Sequence, residues 1–240
     1  SFYDGDRWHL DVMAQYSSLY ADSVADGFVL EQPVLLDMET LTLSLRMERR
    51  INSFSSFYVE IPTITNWKGA FDSLIENYHD IVGLSNGGRE HAPDDRFAYR
   101  LGDLDIDSGK AGLGDIQMGF TIYKVGDISK FRFAFNFFAK LPTGSVAEGR
   151  SSGSVDFGAG LAMSNRFDRF QLDYGIGMIA IGNPDQRFAS TLDDMGYGYI
   201  ACSGPIWREF EGVVQLLVSS SPFRTDYDRL DDYQALLTIG

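Results

Sequence analysis

Residues 130–142, with the sequence KFRFAFNFFAKLP, decide the fold predicted for this chain. The odd positions from Phe131 to Leu141 are all apolar, whereas the even positions include Arg132, Asn136 and Lys140. Because side chains alternate across a β-strand, one face of this strand is apolar and the other carries two cations and an amide. One face suited to lipid and one suited to water are typical of a transmembrane β-barrel.

The same alternation recurs along most of the chain. It predicts ten strands, at residues 8–16, 41–48, 56–61, 116–123, 131–141, 154–164, 170–178, 197–204, 209–219 and 232–239. The connections alternate in length, with short ones at 50–52, 126–127, 165–166 and 205–207, and long ones at 63–113, 142–153, 182–196 and 220–231. Outer-membrane barrels combine short periplasmic turns with long external loops in this way.

We therefore predict an all-β protein, an antiparallel transmembrane β-barrel in the bacterial outer membrane that spans residues 1–240 as a single domain. Ten strands are visible, and we expect twelve in the complete protein, because no strand ending in an aromatic residue precedes Gly240. The alternative is a soluble ten-stranded barrel, which would hold the apolar rows inside and the glycines and charges outside.

Composition excludes several functions. A net charge of −14 argues against nucleic-acid binding, which requires clustered Lys and Arg. The single cysteine, Cys202, has no partner for a disulfide or a zinc site. The acidic run Asp103, Asp105 and Asp107 lacks the glycine and the terminal Glu of a calcium loop. We therefore expect no metal and no cofactor.

The long connection at 63–113 contains a segment with helical periodicity at 70–82, which ends at Gly83 in the manner of a C-cap. Its apolar stripe can lie on lipopolysaccharide or a partner, or enter the lumen as a plug. A turn at 165–166 would place Gly158 opposite Asp173 and leave a flat glycine patch on the inner wall, which favours the plug. Relief of strand curvature is the other explanation for these glycines. The predicted plug contacts are Phe71, Ile75, Tyr78, His79, Asp80, Arg89, Gly158, Gly160, Gly175 and Gly177.

Charged residues occupy the inward positions of several strands. They are Arg46, Glu48, Glu60, Arg132, Lys140, Asp156, Asp173 and Glu211. Mixed signs indicate ion pairs that brace the wall or hold a plug, whereas a selective filter would show a ring of one sign.

A catalytic interpretation rests on His79, Ser85 and Asn86, which are similar in type to the His-Ser-Asn set of outer-membrane phospholipases. In those enzymes the residues lie nearly adjacent on outward-facing strands, whereas here they fall on a predicted helix and the loop after it. We therefore predict that the protein is not an enzyme.

Residues 71–90, FDSLIENYHDIVGLSNGGRE, resemble the signature loop of an uncharacterised family of Gram-negative outer-membrane barrel proteins. The matching positions are Phe71, Asp72, Ile75, Glu76, Tyr78, His79, Asp80, Gly83, Leu84, Asn86, Gly87, Gly88 and Arg89. Ser85 departs from the family pattern, which has Pro there, and residues 112–125 resemble the family's next strand. The resemblance implies a barrel in the outer membrane whose members continue past the position of Gly240, and it implies no activity.

Two functions follow as expectations. The first is a narrow or plugged porin-like channel for small solutes. The second is a non-conducting barrel that anchors or scaffolds a multi-protein complex of the cell envelope. The expected partners are outer-membrane lipid, lipopolysaccharide and other envelope proteins, with no nucleic acid.

Overall fold

The computed structural model describes residues 8–27, 34–68, 72–83, 92–101, 103–106, 109–125, 131–185, 192–207, 210–224 and 231–239. Within these ranges, thirteen strands form one antiparallel sheet. The ten predicted strands are all present, as β1 (Trp8–Asp22), β2 (Leu35–Asn52), β3 (Ser55–Trp67), β7 (Ile116–Val125), β8 (Phe131–Leu141), β9 (Asp156–Phe167), β10 (Phe170–Ala180), β11 (Met195–Trp207), β12 (Phe210–Ser219) and β13 (Gln234–Ile239). The connection between β3 and β7 contains helix α1 (Asp72–Val82) and the short strands β4 (Ala98–Leu101), β5 (Leu104–Ile106) and β6 (Ala111–Leu113).

The ten predicted strands pair in chain order, and the sheet curls into an open half-barrel. Each strand pairs antiparallel with the next, from β1 to β13. Within the described residues, no ladder joins β1 to β13, so the prediction of a closed barrel is wrong for this structure. Alternation reports which face of a strand is apolar, and it carries no information on whether the two edges of the sheet meet.

Most apolar residues of the long strands lie on what we call the outer face. Val12, Phe137 and Ile176 on this face are 74%, 48% and 64% exposed. The opposite, inner face is mainly polar, and on β3 and β7 it is far less accessible, since Ser56 is 2% and Thr121 is 7% exposed. Pairing joins like faces, as in the ladder where Phe120 lies opposite Phe137 and Thr121 lies opposite Asn136. The aromatic rows are therefore not packed together in a dry centre.

The alternation of connection length is confirmed, but the turns lie further along the chain than predicted. The turn between β2 and β3 is Ser53–Phe54, and the turn between β9 and β10 is Asp168–Arg169, with Asp168 at a φ of 49°. Residues 205–207 belong to β11, and the predicted turn at 126–127 lies outside the described residues. We call the end of the strands where these short turns lie the short-turn end, and the opposite end of the strands the long-connection end.

The shifted turn between β9 and β10 changes the predicted glycine pairing. Gly158 lies opposite Ile179, six residues beyond the predicted Asp173, and Gly175 lies opposite Ala162. Gly160 and Gly177 are direct partners. The predicted faces survive because the shift is an even number of residues, and such a shift returns each side chain to the same face.

Part of the predicted long loop forms short strands that extend the sheet. β4 pairs with the first residues of β2, beyond the point where β3 ends. β6 pairs with residues 63–65 of β3 in line with β7. α1 forms where the helical periodicity predicts it, and Gly83 follows with a φ of 72°, the left-handed conformation expected of a C-cap glycine.

A small apolar cluster closes the inner face at the long-connection end. Its buried members are Ala21, Val34, Leu36, Leu101 and Leu104. Residues of more distant connections pack against it, including Val146, Leu192 and Phe223. Connections from both halves of the curled sheet therefore meet at this end.

Candidate functional site

A polar network occupies the inner face of β2, β3 and β7. Glu48 accepts hydrogen bonds from the Ser56 hydroxyl at 2.5 Å and from the Tyr123 hydroxyl at 2.9 Å. The Arg46 guanidinium lies 3.4 Å from Glu48 and 3.9 Å from Glu60. These contacts hold two of the predicted lumen carboxylates and one predicted lumen cation in a single ion-paired group.

Tyr58 lies at the centre of this network and is 1% exposed. The central carbon of the Arg46 guanidinium is 3.6 Å from the centre of its ring, which is a close cation–π contact. The Gln117 amide donates a hydrogen bond to the Tyr58 hydroxyl at 2.9 Å. On this side of the half-barrel, the inner face is therefore filled by side chains.

Aromatic rings cover the inward glycines. Directly paired across their ladders are Tyr58 with Gly119, Phe138 with Gly158, Tyr199 with Gly175 and Tyr197 with Gly177. In each pair the ring occupies the space that a Cβ at the glycine would need. We call Tyr58, Phe138, Tyr197 and Tyr199 the aromatic belt.

The aromatic belt fills the room that the glycine patch leaves, so the patch gives no support to an approach by α1. Among the described residues, no strand packs along α1, and its Tyr78 side chain is 58% exposed. His79 is half-buried beside the Tyr78 ring, and Asp80 is exposed. Phe71, Arg89 and the side chain of Ile75 lie outside the described residues, so the plug remains a prediction.

A second ion-paired group lies toward the long-connection end. Lys140 contacts Asp115 and Asp156 at 2.7 Å each, and it donates a hydrogen bond to Ser152 at 2.8 Å. Asp156 also accepts a hydrogen bond from Ser154 at 2.6 Å. Lys140 and Asp156 were predicted as lumen charges, and the structure brings them together.

Beside this group lies a cavity of about 370 Å³, bounded by Tyr99, Lys140, Arg150, Leu192 and Phe223 among others. Both cations on its wall are already paired, Lys140 with Asp115 and Arg150 with Glu148. The cavity is therefore balanced in charge and does not have the free cations of an anion site.

The remaining predicted lumen charges are spread along the inner face. Asp173 accepts hydrogen bonds from the Gln171 amide at 2.9 and 3.0 Å. Arg132 is half-buried and has an interaction partner, and Glu211 is exposed near the short-turn end. In the described part of the chain, Asp173 and Glu211 do not join either ion-paired group.

Sequence reasoning missed the aromatic belt as a feature of the site. Its signal is an aromatic residue at an inward position, such as Tyr58 or Phe138, opposite a glycine of the next strand. That signal becomes readable only once the pairing register is known.

In the described part of the chain, no group of three or more His, Cys, Asp or Glu side chains is placed to hold a metal ion. Within the same ranges, no helix combines the length and the apolar character needed to cross a membrane. Ser85 and Asn86, which the phospholipase-like interpretation requires, lie outside the described residues.

Comparison with known protein families gives one match. Residues 5–218 match the model of the family described as "Protein of unknown function (DUF3187)". The chain belongs to the DUF3187 family. No curated protein matches this DUF3187 chain. The predicted membership in an uncharacterised family is thus confirmed, and the description of DUF3187 carries no activity.

Proposed function

We propose that this chain is a bacterial outer-membrane β-barrel that forms a narrow channel for small solutes. One observation carries the proposal, which is the contrast between the two faces of the sheet. The outer face exposes Phe135, Phe157 and Ile176 at 41%, 61% and 64%, whereas the inner face holds ion pairs and hydrogen-bonded side chains. A lipid-facing apolar surface around a polar interior is the arrangement of a transmembrane barrel.

The open edges of the sheet bear on this proposal. Unpaired backbone groups of β1 and β13 would be costly in hydrocarbon, where no water can satisfy them. In the membrane these edges therefore need partners.

The inner face favours a narrow passage over a wide pore. Tyr58 and the Arg46 network occupy the inner face of β2, β3 and β7. Tyr197 and Tyr199 lie over glycines of β10, whereas other inner residues of β10 to β12, such as Asp173 and Gln215, keep partial access to solvent. Small solutes would pass along this second side. The two ion-paired groups would hold the wall in shape.

Two observations favour the alternative, a non-conducting barrel that anchors or scaffolds a complex of the cell envelope. Tyr58 is 1% exposed at the centre of the inner face, and the apolar cluster around Leu36 gathers connections over the long-connection end. A barrel that is filled by side chains at its centre and covered by connections at the long-connection end would keep its fold without conducting.

Location is tested first, by separating inner and outer membranes of a Gram-negative host that expresses the full chain. We expect the protein in the outer-membrane fraction, with a change in its migration on denaturing gels when the sample is heated. Recovery in the soluble fraction would contradict both functions.

Conductance in planar bilayers then separates the two functions. The wild type should show stepwise openings of small conductance, and the Tyr197→Ala variant should show larger ones because a ring leaves the inner face. A variant in which a short Gly-Ser linker replaces residues 69–91 tests the plug, since removal of a plug raises conductance. If none of the three proteins conducts and the purified wild type contains a stoichiometric partner protein, the scaffold function would be favoured.

A further inference from the structure

A pocket opens on the outer face of the sheet at the short-turn end. It has a volume of about 460 Å³ and is lined by Trp8, Arg49, Arg50, Ile51 and Phe57. Trp8, Arg49 and Phe57 occupy outward positions, since Arg49 is the ladder partner of the other two. The pocket therefore faces the surroundings of the sheet and is separate from the inner polar network.

Arg49 supplies the pocket with a positive charge. It is exposed, and its guanidinium lies 5.7 Å from the centre of the Trp8 ring. Among the described residues, no carboxylate lies within ion-pair distance of it, and the neighbouring Glu48 points to the inner face, where Ser56 and Tyr123 bind it. An arginine that contacts an aromatic ring and has no carboxylate partner keeps its planar set of donors for a ligand.

Arg50 adds a second guanidinium that is fixed at the turn. It donates hydrogen bonds to the backbone carbonyls of Asn52 at 3.0 Å and Ser53 at 2.8 Å. These contacts hold the side chain against the β2–β3 turn. The pocket is thus lined by two arginines in a chain whose net charge is −14.

The position of Arg49 relates the pocket to the apolar rows. It follows Leu43, Leu45 and Met47 at the outward positions of β2, and it is the first charged residue in that row toward the short-turn end. Successive side chains on the same face of a strand are about 6.6 Å apart along the strand. Arginine on the lipid face of a barrel is far more destabilising at the midplane of a bilayer than near its interfaces, so in a membrane this row would put Arg49 at an interface.

We propose that this pocket binds the phosphodiester of an anionic diacyl phospholipid from the leaflet on the short-turn side. The inference rests on the proposed membrane location. Arg49 binds the phosphate, since a guanidinium group matches phosphate oxygens in a bidentate pair. Arg50, whose Nε and one Nη already bind backbone carbonyls, adds positive charge beside it. The Trp8 indole lies at headgroup level, where tryptophan is enriched in membrane proteins. The acyl chains continue along the exposed row of Leu10, Leu45 and Leu43.

Charge complementarity and continuity with the apolar row argue for this occupant. A free phosphate would use the arginines alone and leave Trp8, Ile51 and Phe57 without a partner. A diacyl phospholipid uses both parts of the pocket, because its headgroup and its chains are covalently joined.

The test uses the purified full chain in detergent, with lipid binding measured by native mass spectrometry at increasing dioleoyl phosphatidylglycerol. Arg49→Gln should weaken binding about tenfold, since a lost hydrogen bond to a charged group corresponds to that factor or more. Arg169→Gln is the matched control, because Arg169 is exposed in the β9–β10 turn at the same end and is not among the residues that line the pocket. It should bind lipid as the wild type does.

Two further binding experiments distinguish a lipid phosphate from free phosphate. Inorganic phosphate at millimolar concentration should not displace the lipid, and dioleoyl phosphatidylcholine should bind more weakly than phosphatidylglycerol. Displacement by inorganic phosphate would overturn the lipid assignment, and equal binding by wild type and Arg49→Gln would overturn the site.

Insertion into phosphatidylglycerol vesicles, measured by flotation, separates this inference from the proposed function. Failure of the wild type to insert would overturn both. Insertion of the wild type and of Arg49→Gln, with equal lipid retention by the two, would overturn this inference alone.

Discussion

The ring of Tyr58 covers Gly119, which is its direct partner in the ladder between β3 and β7. The ring can lie flat on the wall because glycine has no side chain at that point. Burial of this ring, at 1% exposure, then brings its hydroxyl to the Gln117 amide and its face to the Arg46 guanidinium. One cross-strand pair thus organises the polar network on this part of the inner face.

Gly119→Ala should lower the free energy of unfolding by about 1–3 kcal/mol, because the new Cβ would overlap the Tyr58 ring and force the ring to move. The measurement is the urea midpoint in detergent micelles, followed by circular dichroism. Gly196→Ala is the control, since a Cβ there meets nothing within 4 Å. Equal midpoints for the two variants would show that the ring does not depend on the glycine.

Lys140→Met should destabilise the protein by about 3–5 kcal/mol, because it leaves two buried carboxylates without a counter-charge. The side chains of Asp115 and Asp156 are 8% and 9% exposed. The control is Lys110→Met, which should cost less than about 1 kcal/mol, because the Lys110 side chain is 67% exposed and its Nζ lies 3.7 Å from Glu148.

Adding Asp115→Asn and Asp156→Asn to the Lys140→Met variant should recover part of the lost stability, since amides carry no charge. A triple variant as unstable as the single one would mean that packing of the Lys140 stem, rather than its charge, supports this group.

Arg46→Gln should shift the proposed channel toward cation selectivity. The substitution removes the cation that lies 3.4 Å from Glu48 and 3.9 Å from Glu60 and leaves both carboxylates on the inner face. The reversal potential under a potassium chloride gradient measures the shift. Arg169→Gln, in an exposed turn, should leave it unchanged. A conducting Arg46→Gln variant with the reversal potential of the wild type would place the solute path away from this network.

Stability above pH 10 should depend on Tyr99, which lies at the long-connection end. Burial raises the pKa of its phenol to about 12. The unfolded chain ionises this phenol first, so stability is fully present below pH 10 and is lost as the pH rises toward 12. Between pH 8.5 and pH 11 the loss from this residue is about 1.4 kcal/mol.

The measurement is the urea midpoint of wild type and Tyr99→Phe at those two pH values. The wild type should lose more stability than the variant over this interval, and other tyrosines cancel in the comparison. Equal losses would contradict a buried, neutral Tyr99.

Several elements could be predicted because their causes are local. The alternation from Phe131 to Leu141 sets the two faces of β8, and the helical spacing before Gly83 sets α1. The register between β9 and β10 could not be predicted in the same way. A turn at 165–166 and a turn at 168–169 preserve the same faces, and nothing in the alternation distinguishes them.

The candidate site, like the fold, could be predicted from the sequence only in part. Lys140 and Asp156 could be recognised as inward charges. Asp115 joins them only because the start of β7 pairs with the end of β8. The aromatic belt was invisible without the register, since Tyr58 and Gly119 are distant in sequence. The pocket at Trp8 and Arg49 likewise depends on the pairing of β1 with β2.

The sequence by itself determined which face of each strand is apolar, where strands alternate with long and short connections, and where the helix ends. These properties follow from neighbouring side chains, which alternate at fixed spacing along one strand or one helix. Only the tertiary structure decided which residues meet across the ladders, how the connections close over Leu36, and that β1 and β13 do not pair within the described residues. Those outcomes depend on contacts between distant parts of the chain, and a shift of register or an open edge leaves the local alternation unchanged.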